Sequence, residues 1–315
     1  MGPMAWVSAD FNNEDEWVYH LTKGNQDEIR KALDTFKGLG LSYEKATKET
    51  FPLPKLALSL LKIRDQIYHG RGFVVIRGLD PDAYTSLDFA VVFLGISNYI
   101  AERRGKQDQQ GSMMNPTNKE TNPSRDKQPF HADVICDTLA IATRSCSARD
   151  GRAFVASSWS VYNELASTRP DLINVLATPN WPHDTYGRSP PFYNRALLYH
   201  TDGKIILNFS RRLLTGHSDS DIPDLIEKQV EAITAVHFTA PKYQIEILMK
   251  VTFDSSTIWL CSTAESLSRT DSMWERDPAL KVAWARVFDD TERGTYWDAM
   301  PVWLDGKIIK AESCD

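Results

Sequence analysis

A short apolar run between two glycines constrains the fold of this chain more than any other feature of its sequence. The run Phe73-Val74-Val75-Ile76 lies between Gly72 and Gly78 and is rich in β-branched residues. Such a run, bounded by residues that favour turns, predicts a buried β-strand. We therefore expect at least part of the core to be built around a sheet.

Helical and strand patterns follow one another along the rest of the chain. Apolar residues at helical spacing predict helices over 27–36, 56–67, 86–101, 161–167, 170–177 and 222–236. In the third of these, Ser86 is expected to cap the helix and Leu87 to face inward. Further strands are predicted at 138–143, 153–157 and 257–261.

A hairpin is predicted over 197–208, with His200 at its exposed turn, and for that reason we discount His200 as a metal ligand. We expect one domain over 1–315, with a tail over 1–16, a long loop or lid over 102–129 and a second tail over 293–315. The first three residues are typical of a cloning remnant ahead of a native Met4.

Composition narrows the class of protein. The chain has 315 residues, 42% of them hydrophobic, which is enough for one large core. Its net charge of −6 and its short, mixed charge runs do not indicate nucleic-acid binding. Four cysteines without a C-x-x-C spacing argue against a zinc or redox motif and fit a reducing compartment. The sequence has neither a secretory signal nor a membrane-spanning run, so a cytoplasmic protein is expected.

One pair of residues, His131 and Asp133, is a candidate for metal binding. The pair precedes an apolar run, and on a strand the two side chains would point to the same face. An imidazole beside a carboxylate supplies two of the three ligands that hold iron(II) in many oxygenases. Alone, however, His-x-Asp is a weak signal that a solvated loop end would also give.

The pair belongs to a series of motifs in a recognisable order: the strand at 72–79, the stretch 130–133, and the segments 156–165, 169–172 and 199–216. Together they resemble the taurine-dioxygenase-like (TauD/TfdA-type) family of iron(II)- and 2-oxoglutarate-dependent oxygenases, most closely its fungal branch. The resemblance implies a mostly β fold, a double-stranded β-helix (a cupin-like jelly-roll) with flanking helices. It also implies Fe(II) and 2-oxoglutarate as cofactors, with iron held by His131, Asp133 and a distal histidine.

The sequence departs from the family pattern at this distal ligand. When the family motif is aligned with 255–269, the histidine position falls on Leu267. The chain has no histidine after His237, so a shift of the alignment does not supply one. Glu265 and Asp271 are the possible substitutes, because one imidazole and two carboxylates can hold a divalent metal.

The residues that the resemblance implies for 2-oxoglutarate are altered too. The family's hydroxyl residue is matched by Ala153, with Ser157 nearby, and the anchoring arginine of the last strand is matched by Ala285, with Arg286 one residue away. A one-residue shift on a strand turns a side chain to the opposite face unless a bulge intervenes. Ser157 and Arg286 are therefore the candidate cofactor-binding residues.

Three functions are compatible with these features. The first is a non-catalytic subunit that pairs with a catalytically active TauD-like paralogue, forming a heterodimer that acts on a terpenoid or meroterpenoid. Nine tryptophans, four of them over 274–303, give modest support, because tryptophan is enriched at interfaces. The second is an active dioxygenase with an altered metal site that hydroxylates a small molecule. The third is a small-molecule binding protein that reuses the mouth of the barrel.

Overall fold

The computed structural model describes residues 2–101, 104, 130–132, 138–143, 152–184, 191–201, 204–211, 214–215, 221–248, 256–262, 301–304 and 307–310. The chain forms two compact units. Unit 1 comprises Met1–Arg104, Thr138–Ser157 and Tyr243–Ser262, and unit 2 comprises Gly105–Asp137, Ser158–Lys242 and Thr263–Asp315. Because each unit combines three separate stretches, no single linker divides the chain.

The described helices and strands follow the chain from end to end. The helices are α1 (Lys23–Gly38), α2 (Leu56–Tyr68), α3 (Ser86–Ser97), α4 (Ser158–Thr168), α5 (Pro170–Ala177) and α6 (Glu227–Thr239). The strands are β1 (Val18–His20), β2 (Phe73–Leu79), β3 (Thr138–Thr143), β4 (Arg152–Ala156), β5 (Trp181–Asp184), β6 (Phe192–Arg195), β7 (Leu198–Thr201), β8 (Lys204–Leu207), β9 (Gln244–Leu248), β10 (Ser256–Ser262), β11 (Pro301–Leu304) and β12 (Lys307–Lys310).

Unit 1 is built on the predicted glycine-bounded strand, β2. A four-stranded sheet has the order β1-β2-β10-β3, in which β1 runs parallel to β2 and the remaining pairs are antiparallel. One face of β2 presents Phe73 and Val75 to a core shared with Ile245 and Ile247 of β9. The other face presents Val74 and Ile76, both buried, and α2 packs against β2 and β10. Burial on both faces explains why the strand is apolar without a break from Phe73 to Ile76 rather than alternating.

The N-terminal segment belongs to this core, which corrects the expectation of a tail over 1–16. Trp6 is 5% exposed, and its ring centroid lies 5.4 Å from that of Phe73. Its indole N–H donates to the carbonyl of Arg71 at 2.8 Å. Glu14 forms an ion pair with the buried guanidinium of Arg77 on β2. The segment therefore completes the hydrophobic layer over the sheet.

Helices α1 to α3 form near their predicted positions, with two corrections in α3. Thr85, not Ser86, caps this helix, because its side-chain oxygen accepts a hydrogen bond from the amide of Asp88 at 3.1 Å. Leu87 is 61% exposed, although the next two turns, from Phe89 to Ile96, are buried. A helix that is apolar almost all round lies inside the unit, so its periodicity does not single out one inward face.

Unit 2 contains α4, α5 and α6, which pack against one another, and two β-hairpins. The hairpin of β7 and β8 was predicted, whereas β5 and β6 were not. Strands β11 and β12 pair with each other, and Trp303 of β11 pairs with Asn194 of β6. The expected C-terminal tail over 293–315 therefore includes a strand pair that extends a sheet. Among the described residues, no helix is both long enough and apolar enough to cross a bilayer.

Candidate functional site

The backbone around His131 is paired as a short piece of strand. His131 forms an isolated antiparallel bridge with Ser210, and the amide of Ala132 donates to the carbonyl of Phe209 at 2.7 Å. Residues directly opposite each other in an antiparallel pair project to the same face. His131 and Ser210 therefore share a face, and the His131 side chain is exposed. This agrees with the extended conformation on which the His-x-Asp prediction rests.

The segment that pairs with His131 is itself anchored inside unit 2. Asn208 and Phe209 are buried, and the amide of Asn208 donates to the carbonyl of Leu197 at 2.7 Å. A turn follows, in which the hydroxyl of Thr215 donates to the carbonyl of Arg211 at 3.0 Å. The anchored segment gives the exposed imidazole of His131 a fixed backbone support.

Most of the other predicted site residues lie outside the described part of the chain. These are Asp133, Glu265, Leu267, Asp271 and Arg286. Within the described residues, no cluster of three or more His, Cys, Asp or Glu side chains could hold a metal ion. That finding does not extend to the candidate ligands just named, whose assignment remains a prediction.

Ser157 has a structural role that the sequence analysis missed. Its side chain is 3% exposed, and its hydroxyl donates to the carbonyl of Met4 at 2.6 Å. Its amide donates to the carbonyl of Tyr243 at 3.1 Å. The hydroxyl thus holds the N-terminal segment against the end of β4. The contact with 2-oxoglutarate suggested for Ser157 remains a prediction.

Two further histidines of unit 2 have neighbours that account for them. His200 is exposed on β7 beside the hairpin turn, as predicted, and its ring stacks on Tyr162 with the centroids 5.9 Å apart. His183 is buried, its Nδ1 lies 3.0 Å from the carbonyl oxygen of Trp181, and its ring stacks on Tyr193 at 5.2 Å. Ring stacking on a tyrosine therefore accounts for the position of both imidazoles.

Unit 2 also buries a cation that sequence reasoning did not find. Arg195 on β6 is 3% exposed. Burial lowers the pKa of its guanidinium, but interactions with Tyr199 and Tyr193 outweigh that effect, and the pKa is raised overall. Tyr193 and Arg195 are alternate residues of β6, and Tyr199 lies on β7. The spacing of Tyr193 and Arg195 was the only sequence signal that a tyrosine and this arginine could lie on the same face.

Comparison with known proteins defines the class to which this arrangement belongs. The model of the family described as taurine catabolism dioxygenase TauD, TfdA family, matches residues 35–251. The chain belongs to this family, as the motifs indicated. Members of the family and the related solved oxygenases have a cupin-like β-sandwich. Unit 1 agrees with this, because its four-stranded sheet shares a core, through Phe73 and Val75, with Ile245 and Ile247 of the antiparallel pair β4–β9. The finer jelly-roll topology stays a prediction.

Two relatives show how far the similarity extends. The taurine hydroxylase-like protein SAT17 of Stachybotrys chartarum is 33% identical over 269 residues, which span 78% of this chain and 69% of the relative. The FR-33289 synthase of Streptomyces rubellomurinus is 22% identical over 225 residues, covering 67% of this chain and 66% of the synthase. The chain thus spans about two thirds of the length of the curated relatives it matches.

Solved structures with the same fold include two non-heme iron oxygenases. The oxygenase OrfP in complex with Fe has a TM-score of 0.55 at 15% identity, covering 81% of this chain and 89% of OrfP. An asparagine oxygenase in complex with Fe(II), 3-hydroxyasparagine and succinate has a TM-score of 0.56 at 11% identity, covering 81% of this chain and 90% of that enzyme. At such identities the likeness establishes the fold.

Proposed function

We propose that this chain is the non-catalytic subunit of a heterodimeric Fe(II)/2-oxoglutarate oxygenase that modifies a terpenoid or meroterpenoid in fungal natural-product biosynthesis. Its partner is a catalytically active TauD-like paralogue that carries a complete iron site. The chain contributes the fold and a docking surface in the cytoplasm, and the partner contributes the oxidation chemistry. Membership of the TauD/TfdA family and the fungal relative support this proposal.

The observation that carries the proposal is the residue at the distal ligand position. Three protein ligands are needed for the facial arrangement that holds iron(II) and leaves open positions for co-substrate and oxygen. His131 and Asp133 supply two donors, whereas Leu267 supplies an isobutyl group with no lone pair. The family model also ends its match at residue 251, before this segment. The donor set does not fit the iron site of the family, so we derive no reaction step through iron in this chain.

Metal binding by the purified chain is the first test. We expect far less than one equivalent of Fe(II) per chain after anaerobic reconstitution, measured by elemental analysis, and no turnover of 2-oxoglutarate. Leu267→His should restore weak iron binding with little turnover, because the residues for the 2-oxoglutarate carboxylate are altered as well. His131→Ala in the Leu267→His background should abolish that binding, and His200→Ala is the matched control, since His200 is an exposed histidine of the same unit whose ring stacks on Tyr162.

Pairing with the paralogue is the second test. Co-expression should yield a stable one-to-one complex that contains about one iron per heterodimer, bound by the paralogue. Substitution of a metal ligand in the paralogue should remove both the iron and the activity, whereas His131→Ala in this chain should change neither. A purified chain that stays monomeric and has no affinity for the paralogue would contradict the proposal.

The competing function is an active oxygenase with a remodelled site. The paired backbone that supports His131 favours it, because a position no longer used for chemistry need not keep an exposed imidazole on an anchored strand. His131, Asp133 and either Glu265 or Asp271 would then hold the metal. Stoichiometric iron and 2-oxoglutarate turnover in the isolated chain, both lost in Glu265→Ala or Asp271→Ala, would establish this function instead.

A further inference from the structure

Helix α6 exposes an apolar stripe to solvent. Among the residues of unit 2 whose side chains the structure describes, three large apolar side chains are exposed, Ile226 at 60%, Val230 at 43% and Phe238 at 67%. All three lie on α6 or at the residue that precedes it. Together with Thr234, which falls between them, they are called here the α6 stripe. Exposed apolar side chains that recur along one side of a helix, rather than singly, indicate an interaction site.

The geometry of α6 places these residues along one side of the helix. Residues four apart on a helix are offset by about 40° around the axis and 6 Å along it, so the stripe runs about 18 Å along α6 and turns by about 120° around it. The opposite side of the helix is already used, because Ala232, Ile233 and Val236 are buried within unit 2. A surface helix normally has one apolar side facing the core and a polar side facing water. Helix α6 has a second apolar side, and the described residues of unit 2 leave it exposed.

One flank of the stripe carries charges that compensate each other. Lys228 and Glu231 of α6 form ion pairs with Asp171 and Arg169 at the start of α5. Hydrogen bonds from Arg169 and Lys228 hold the pKa of Asp171 well below its usual range. The network contains two acids and two bases, so this flank requires no charge from another molecule.

The N-terminal end of the stripe, in contrast, is acidic and uncompensated. Asp224 and Glu227 are exposed, and neither forms an ion pair in the described part of the chain. An occupant that covers Ile226 must therefore face two carboxylates at that end. Complementary interfaces place opposite charges against each other, so the matching surface has lysine or arginine there and apolar side chains along the remaining length.

We propose that the α6 stripe is the surface through which this chain binds its catalytic TauD-like partner. The partner presents an apolar helical surface with a basic cluster at the end that meets Asp224 and Glu227. This inference rests on the proposed function, because it names the contact surface of the same heterodimer. The core of an interface is its apolar, fully covered part, and charges at the rim set orientation and association rate.

Matched variants of the full chain test this surface against the purified paralogue by sedimentation and surface plasmon resonance. Val230→Glu with Phe238→Glu should weaken binding about 100-fold, as loss of central contacts does at other interfaces. Leu58→Glu with Leu87→Glu is the control, because these residues of α2 and α3 are 69% and 61% exposed but lie in unit 1. Asp224→Lys with Glu227→Lys should weaken binding about 10-fold at low ionic strength and much less in 1 M salt. Circular dichroism checks that each variant is folded.

The outcomes separate this inference from the proposed function. Normal pairing by the folded α6 variants would overturn the inference and leave the heterodimer standing. Failure of the unmodified chain to bind the paralogue would overturn both. If the α6 variants instead lose self-association of this chain while binding to the paralogue is unchanged, the stripe serves a second copy and the inference is wrong.

Discussion

A methyl group added at Gly95 tests how tightly the helical layer of unit 1 is packed. Gly95 lies in α3, and a Cβ atom built on it would be 2.5 Å from Cδ1 and 2.6 Å from Cγ of the fully buried Phe51 ring. Carbon atoms in contact normally lie about 3.5–4.0 Å apart, so the ring or the helix must move by about 1 Å. Gly95→Ala should gain about 1 kcal/mol from helix propensity and lose about 3 kcal/mol from overpacking, a net loss of about 2 kcal/mol.

Urea unfolding followed by circular dichroism and tryptophan fluorescence measures this loss. Gly38→Ala is the control, because Gly38 is also helical but a Cβ there meets no atom within 4 Å, so it should stabilise the chain by up to about 1 kcal/mol through helix propensity alone. In a Phe51→Leu background, Gly95→Ala should cost about 1 kcal/mol less than in the native chain, since the two sites are in contact. A Gly95→Ala chain as stable as the native one would refute the reasoning.

Three further predictions concern unit 1. The Glu28 carboxylate accepts hydrogen bonds at 2.6 and 3.0 Å from two amides at the start of α2, so Glu28→Gln should cost about 1 kcal/mol and speed hydrogen exchange in that first turn. The hydroxyl of Tyr99 accepts from the amide of Leu53 at 2.8 Å, and Tyr99→Phe should cost about 1–2 kcal/mol in unfolding free energy. Burial raises the pKa of Tyr99, so the unfolded chain ionises first and the native chain should lose stability above about pH 10 more steeply than the variant. Trp6→Ala should cost about 3 kcal/mol by the same unfolding assay, against little change for the exposed Leu39→Ala.

Local sequence patterns were sufficient to predict a helix or strand whose own residues carry the apolar spacing or the turn residue that defines it. The apolar run of β2, the spacing of Leu56, Leu60 and Ile63 in α2, and the proline that opens α5 each predicted an element that the structure confirms. Helix α6 begins five residues later than its pattern indicated. Ile222 is buried but lies before the helix, and because it is apolar it made the helical pattern appear to begin too early.

Pairings between distant parts of the chain could not be predicted in this way. Trp6 is buried because it meets Phe73, 67 positions away, and no period within 1–16 signals that contact. Strands β5 and β6 have four residues each, too few for an alternation to stand out. Strands β11 and β12 are equally short, but Asp305-Gly306 between them is a hairpin signal, like Asp202-Gly203 between β7 and β8, that the sequence analysis missed. At the candidate site, the extended backbone at His131 was expected, but its pairing with Ser210 was not, because the two lie 79 positions apart in the sequence. The assignment of Leu267 to the position of the distal histidine rests on the family resemblance and not on any local pattern.

The assignment of Leu267 to the distal ligand position also predicts how Fe(II) affects the stability of this chain. The core of unit 1 is closed by Phe73, Val75, Ile245 and Ile247, none of which is a metal ligand, so loss of the iron site leaves this core intact. A ligand that binds only the folded chain adds about 2.7 kcal/mol to its stability when present at 100 times its dissociation constant. If Leu267 has abolished the site, Fe(II) with 2-oxoglutarate under anaerobic conditions, and chelator in a parallel sample, should both leave the urea midpoint unchanged. In the Leu267→His chain, Fe(II) should raise the urea midpoint slightly, and the chelator should reverse this rise. An increase of about 2–3 kcal/mol in the unfolding free energy of the native chain on addition of Fe(II) would mean that its own side chains hold the metal.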